Sequence, residues 1–259
     1  RRWWLPDGGS VAVERARQAE ALGFESLWVF DHFTTVPAPT DEITFEAFTG
    51  LSALASETAR VRLGHLVLCA GYRNPALVAK MISTLDVISG GRAELGIGAG
   101  WKEDEYVAYG FGFPPVRAGM EMLEDALEIA TRMLAGGHAT YEGPAARVRD
   151  AINVPRGLQE PRIPIIVGGN GPNRTWRLAA RFADELNLDW LTPEEVVAAR
   201  PVIESRCEEL GRDPGTLRLS VNIGREATVR EGAVGIDLLR RFADAGVDRV
   251  MTLLTASAD

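Results

Sequence analysis

Apolar and polar positions along this chain follow two alternating rhythms. Short, nearly continuous apolar runs occur at Ser26 to Phe30, Arg62 to Leu68, Arg92 to Ile97, Ile163 to Val167, Asp184 to Leu188, Leu217 to Asn222 and Arg249 to Leu254. Trp3 to Leu5 is a candidate first strand and brings the set to eight. Between them lie stretches of helical period. One has Val11, Ala12, Arg15, Ala16, Ala19 and Leu22 on one face, with Ser10 as its cap and Gly23 as its stop. Another carries Phe45, Phe48, Leu51, Leu54, Ala55 and Thr58; a third opens on Asn74 and Pro75 and buries Leu77, Val78, Met81, Ile82 and Leu85. Met120, Leu123, Leu127, Ala130 and Leu134 mark a fourth, with Glu128 and Arg132 placed to pair at i,i+4. Helices are also predicted from Thr175 to Phe182, Pro193 to Leu210 and Gly232 to Ala245.

Strand-length runs separated by helix-length ones are the signature of repeated βα units around a parallel sheet. The run from Ser26 to Phe30 has no polar break after its serine, so it reads as a strand buried on both faces. His138 to Gln159 breaks the rhythm, alternating and bearing proline and glycine, and predicts a β-hairpin insertion with His138 on the surface. The predicted fold is therefore α/β, a closed (β/α)8 TIM barrel forming one domain over residues 1–259. Its link between the last two strands is lean, and the chain reaches Asp259 without an eighth helix, so the C-terminus reads as truncated.

Composition narrows the partners. With 36 acidic and 28 basic residues the net charge is −8, and no basic stripe is present, so neither nucleic acid nor an anionic membrane is an expected partner. No apolar run has membrane-spanning length. Cys69 and Cys207 are isolated thiols without metal-ligand spacing, which fits a reducing compartment. The opening Arg1, Arg2, Trp3, Trp4 leads straight to Pro6 without the apolar segment of a secretory signal, and a cytoplasmic location is expected.

Three places carry candidate chemistry. The run from Ser26 to Phe30 delivers Asp31 and His32 at its C-terminal end, where a parallel barrel places its active site. Histidine is the side chain most easily tuned to exchange a proton near neutral pH. The competing reading has Asp31 capping a loop and His32 as a satisfied polar residue. Second, the stretch from Ser89 to Pro115 releases a strand into Gly98, Ala99, Gly100 and Trp101. An acidic run from Lys102 to Glu105 and the aromatic Tyr106, Tyr109, Phe111 and Phe113 follow, read as a loop-like wall. Glycine there admits a flat or phosphorylated ligand, although Gly-x-Gly is also an ordinary strand-to-helix turn. Third, Gly168, Gly169, Asn170 and Gly171 lie between a strand and a helix with Arg174 in its first turn, a composition suited to holding a phosphate.

With these residues assembled, the chain resembles the bacterial luciferase-like superfamily of flavin and deazaflavin oxidoreductases, most closely its coenzyme F420-dependent branch. The resemblance rests on GFESLWVFDHF (Gly23 to Phe33), RVRLGHLVLCAGYRNPALVAK (Arg60 to Lys80), TLDVISGGRAELGIGAGWKEDEYVAYGFGFPP (Thr84 to Pro115) and PIIVGGNGPNRTWRLAARFADELNL (Pro164 to Leu188). It implies a luciferase-like barrel with Asp31 beside the cofactor ring and His32 at the reacting face. It implies a non-prolyl cis peptide at Leu66 and Val67 against the ring, with Gly98, Ala99, Gly100, Trp101 and Asp104 lining ring and ribityl chain. Gly168, Gly169, Asn170 and Gly171, with Arg174, would hold the cofactor phosphate. His65 is read as a packed strand residue. In relatives that oxidise sugars or alcohols, an acid follows the Gly-x-Gly; here Trp101 stands there, and Glu103 and Glu105 are read as a solvated face.

The activity this implies is hydride transfer between coenzyme F420 and a small organic substrate, with a homodimer as the expected assembly. The alternative is a monooxygenase using reduced FMN and oxygen. A flavin-holding protein without turnover and a barrel isomerase binding a substrate phosphate complete the set.

Overall fold

The structure, a computed structural model, describes residues 8–223 and 233–252. The strand expected at Trp3 to Leu5, most of the lean link before the last helix and the C-terminal end lie outside the described residues. The chain falls into two compact units, one up to Pro164 and one from Ile165.

In the first unit, α1 (Gly8–Ala21) starts two residues ahead of the expected Ser10 cap. It is followed by β1 (Ser26–Val29), α2 (Ala47–Glu57) and β2 (Arg62–His65). Next come β3 (Leu68–Cys69), α3 (Pro75–Ser89), β4 (Ala93–Gly98) and α4 (Glu103–Ala108). A long helix α5 (Val116–Leu134) leads into an antiparallel hairpin of β5 (His138–Glu142) and β6 (Arg147–Ile152). β1 pairs parallel with β2, β2 with β4, and β3 with β4. The single strand expected from Arg62 to Leu68 is thus two short pieces, separated by a cis peptide between Leu66 and Val67. β1 is half-buried along its length rather than buried on both faces.

Local sequence explains the turns. Asn74 Oδ1 accepts the amides of Ala76 (2.9 Å) and Leu77 (3.3 Å) and so starts α3, while Gly90 ends it in the left-handed region. The hairpin packs on the helices through Ala79, Ile129, Met133 and Ala139, with Tyr141 and Val148 against them. Buried Asp125 pins its turn by accepting Tyr141 Oη and the amides of Ala145 and Ala146, each at 2.7 Å. His138 is on the surface, its Nδ1 2.6 Å from Asp150.

The second unit runs β7 (Ile165–Gly168), α6 (Thr175–Phe182), β8 (Glu185–Asp189) and α7 (Pro193–Glu208). A 3-10 turn (Pro214–Thr216), β9 (Arg218–Ile223), α8 (Ala233–Asp244) and β10 (Arg249–Thr252) complete it. Its four strands pair in parallel and in sequence order. Thr192 and Glu195 form a reciprocal capping box at the start of α7. In both units, loops leaving the C-terminal ends of parallel strands hold the candidate residues.

Candidate active site

In the first unit, the segments following β1, β3 and β4 converge. His32 leaves β1 with its ring partly exposed, and Nδ1 lies 2.9 Å from Glu105 Oε2. Glu105 is 2 % exposed. Its Oε1 accepts the amides of Phe33 and Thr34, each at 3.1 Å, and the Thr34 hydroxyl at 3.0 Å. Tyr72 donates its hydroxyl to Oε2 at 3.2 Å.

The wall expected around Lys102 to Glu105 is therefore not a loop with a solvated acidic face. It opens α4, whose buried positions Lys102, Glu105 and Tyr106 fall three and four residues apart while Glu103 and Asp104 face outward. Burial would raise the Glu105 carboxyl, but the bonds from His32 and Thr34 outweigh it and hold Glu105 below the ordinary glutamate range. Burial, with the neighbouring Cys69 and Glu105 groups, pushes the Tyr72 phenol up, so it stays protonated and donates.

Asp31 has a different occupation. Buried at 5 % exposure, it binds Arg73 through both oxygens (2.7 and 2.8 Å) and accepts the Cys69 amide at 2.9 Å. Arg73 continues to Glu46 at 2.6 Å, and Glu46 caps α2 through the amides of Phe48 and Thr49. Burial raises the Asp31 carboxyl against the opposing pull of Arg73. Burial also works upward on Glu46, but Thr49 and Arg73 win and hold it down at about 2. Asp31 thus braces three loops through Arg73 and the Cys69 amide.

Around this pair, Trp101 is 64 % exposed and meets the His32 ring edge-on, with centroids 5.7 Å apart. Leu66 and Val67 are half-buried, Gly98 is buried, and Ala99 and Gly100 lead outward. A Cβ on Gly100 would overlap the Cys69 sulfur and stand 2.8 Å from the Tyr106 hydroxyl, so glycine is required by close approach. Cys69 Sγ and Tyr106 Oη are 2.8 Å apart, and burial pushes that thiol up, which keeps it protonated. Asp104 is exposed and paired with Lys102. The aromatic positions expected as a wall form a cluster: Phe33 stacks near Tyr72 (4.7 Å) and Tyr109 (4.5 Å), and Tyr106 near Tyr72 (4.7 Å) and Phe113 (5.2 Å). A cavity of about 660 Å³ opens beside Tyr72 and Arg73, closed by Phe111, Met122 and the hairpin turn.

The second unit holds the glycine turn. Asn170 is locked to Asp189 by two bonds, Nδ2 to the carbonyl (2.7 Å) and Oδ1 from the amide (2.9 Å). The Gly169 amide is taken by Asn187 O, whereas those of Asn170 and Gly171 have no acceptor among the described residues. A Cβ on Gly171 would stand 2.7 Å from Thr175 Oγ1. Arg174 is exposed at the N-cap of α6 and makes no ion pair among the described residues. Asp189 accepts Asn222 Nδ2 at 3.1 Å, and burial raises its carboxyl against that bond.

Among the described residues, no cluster of His, Cys, Asp and Glu could hold a metal ion, and no helix is long and apolar enough to cross a membrane.

Comparison with known proteins places this arrangement. An uncharacterised protein of Mycobacterium tuberculosis is 30 % identical over 266 aligned positions, covering 95 % of this chain and 87 % of that protein. The F420-dependent glucose-6-phosphate dehydrogenase of Microbacterium testaceum is 35 % identical over 167 positions, covering 64 % of this chain. The match spans only 48 % of that relative. The solved structure of an F420-dependent secondary alcohol dehydrogenase, in complex with an F420-acetone adduct, superposes with a TM-score of 0.82 over 95 % of this chain and 89 % of that one. At 22 % identity this likeness establishes the fold, α/β of the luciferase-like (β/α)8 type, as expected from the sequence. The luciferase-like monooxygenase family matches residues 7–233, and this chain is a member of that enzyme family.

Proposed function

We propose that this chain is an oxidoreductase that transfers a hydride between coenzyme F420 and a small organic substrate, with His32 handling the proton. The observation that carries it is a histidine at the C-terminal end of a parallel strand, held by a buried carboxylate through Nδ1 while Nε2 bonds to no described residue. The F420-dependent activities of the glucose-6-phosphate dehydrogenase relative and of the structurally similar alcohol dehydrogenase favour the deazaflavin.

The residues present suit such a cofactor. The amides of Asn170 and Gly171, without an acceptor among the described residues, and the Arg174 guanidinium form a donor set for a phosphate. Gly98, Ala99 and Gly100, with Leu66, Val67 and Trp101, offer neutral surface for a flat ring, with Asp104 at the rim. When bound, the deazaflavin accepts or donates the hydride. The chain's own part is to orient and to move a proton: His32 Nε2 takes it from a substrate hydroxyl during oxidation or returns it during reduction. Asp31 braces the loops beside the proposed ring site.

Trp101 occupies the position where sugar- and alcohol-oxidising relatives carry an acid, and no neighbour replaces it: Glu105 is committed to His32 and Thr34, and Glu103 is exposed. An indole in place of a carboxyl disfavours oxidation of sugars and alcohols and favours compact, weakly polar carbonyl or imine substrates. A homodimer in the cytoplasm completes the proposal, and light scattering of the purified protein tests the dimer.

The test is a parallel titration with oxidised F420 and with FMN at matched ionic strength, followed by turnover of His32→Ala. F420 is expected to bind more tightly, and His32→Ala to lower kcat about 10²- to 10⁴-fold while F420 binding changes little. Tighter FMN binding with oxygen consumption during turnover replaces this reading by the monooxygenase one. Unchanged turnover of His32→Ala removes His32 from the mechanism.

A further inference from the structure

We propose that Glu105 is a positioning residue that sets the tautomer of His32, keeping a proton on Nδ1 and leaving Nε2 bare for the substrate. The inference rests on His32 as the proton-handling group in the reading above.

Apart from His32, every partner of the Glu105 carboxylate is a donor. The Phe33 amide, the Thr34 amide and the Thr34 hydroxyl converge on Oε1, and the Tyr72 hydroxyl lies on Oε2. Three donors on one oxygen fix the rotation of the carboxylate, and its second oxygen then faces His32 Nδ1 at 2.9 Å. An ionised carboxylate only accepts, so in a neutral imidazole Nδ1 must carry the proton and Nε2 the lone pair. The same negative charge stabilises the imidazolium that forms when Nε2 takes a proton from the substrate. Among the described residues, no other acid bonds to His32. Asp31, adjacent in sequence, is engaged by Arg73 and the Cys69 amide, and the exposed Asp104 is paired with the buried Lys102.

Glu105→Gln makes a sharp prediction. The donors on Oε1 require the glutamine carbonyl on that side, which turns its NH2 toward His32. Nδ1 must then accept, the proton moves to Nε2, and the base is lost with little change in shape. The chain has 3 histidines, so ring-nitrogen NMR of labelled protein assigns each of them. Wild-type His32 is expected to show a protonated Nδ1 and a bare Nε2, and Glu105→Gln the reverse. Turnover is expected to fall by up to about 10⁴-fold, the drop seen when the carboxylate orienting a catalytic histidine becomes an amide, with KM and F420 affinity changing less than threefold.

A second variant guards against misfolding. Tyr72→Phe removes one donor but leaves the carboxylate, and it is expected to keep the wild-type tautomer. Finding the proton on Nε2 in the wild-type protein overturns the inference whatever the variants do, as does a Glu105→Gln enzyme within threefold of wild-type kcat. The expected tautomers in a protein that reduces or oxidises nothing with F420 uphold the Glu105 assignment and refute the proposed reaction instead.

Discussion

Replacing Gly96 with alanine is expected to cost about 3 kcal/mol of folding stability, the upper end of the usual overpacking range, because the obstacle is backbone. A Cβ at this position in β4 would overlap the carbonyl oxygen of His65 and lie 3.0 Å from its carbonyl carbon and 3.4 Å from Val67 Cγ1. The obstacle is main chain at the end of β2, so no rotamer change relieves it. Either the β2–β4 contact opens or the strand end moves, and the second outcome also displaces Leu66 and Val67. Urea unfolding of Gly96→Ala beside Gly112→Ala checks this, because a Cβ on exposed Gly112 meets nothing within 4 Å. A Gly96→Ala midpoint indistinguishable from that of the control would show that the strands accommodate the methyl group.

Acidification below the ordinary histidine value of 6.5 is expected to destabilise the protein through His65. The ring is 0 % exposed, lies 4.3 Å from the Phe48 ring, and neither nitrogen has a hydrogen-bond partner among the described residues. Burial first, and then the positive charge of Arg73, push its pKa from 6.5 to about 3, with Glu46 opposing. The unfolded chain therefore binds a proton that the folded one refuses. Stability is intact above 6.5 and falls as the pH drops from 6.5 toward 3. Each pH unit inside that window costs about 1.4 kcal/mol, so the loss is about 2 kcal/mol near pH 5 and about 5 kcal/mol at its lower end. Glu46, held at about 2, adds its own loss only below its ordinary 4.5. Urea unfolding at about pH 7.5 and about pH 5 should show the drop in the wild type and not in His65→Leu, which keeps similar volume without a titrating nitrogen. An equal drop in both proteins would assign the effect to other groups.

Neither His65 nor Gly96 signals its importance in the sequence. His65 reads correctly as a packed strand residue, but its lack of partners depends on which side chains fold over it. Gly96 is one of several glycines in β2, β4 and their turns, and only the approach of a neighbouring strand makes its missing Cβ necessary. The acidic run is more instructive. Read as a loop, Lys102 to Glu105 offers three equivalent solvated acids. Read with helical period, Lys102, Glu105 and Tyr106 share one face, and Glu105 separates from Glu103 and Asp104. Tyr106, an aromatic residue immediately after the run, was the signal that this face turns inward.

The sequence by itself determined most of the order of elements, apart from α4 and the break between β2 and β3, together with the hairpin insertion, the cap at Asn74 and the candidacy of His32, because periodicity and capping are set by residues within a turn or two of each other. The tertiary structure decided the pairings. His32 meets a carboxylate 73 positions away rather than the aspartate beside it, and Asp31 is consumed by an arginine 42 positions away. Such choices follow from strand register and from which loops emerge at the same end of the sheet. A buried carboxylate takes whatever donors that geometry brings within about 3 Å, and no local pattern encodes them.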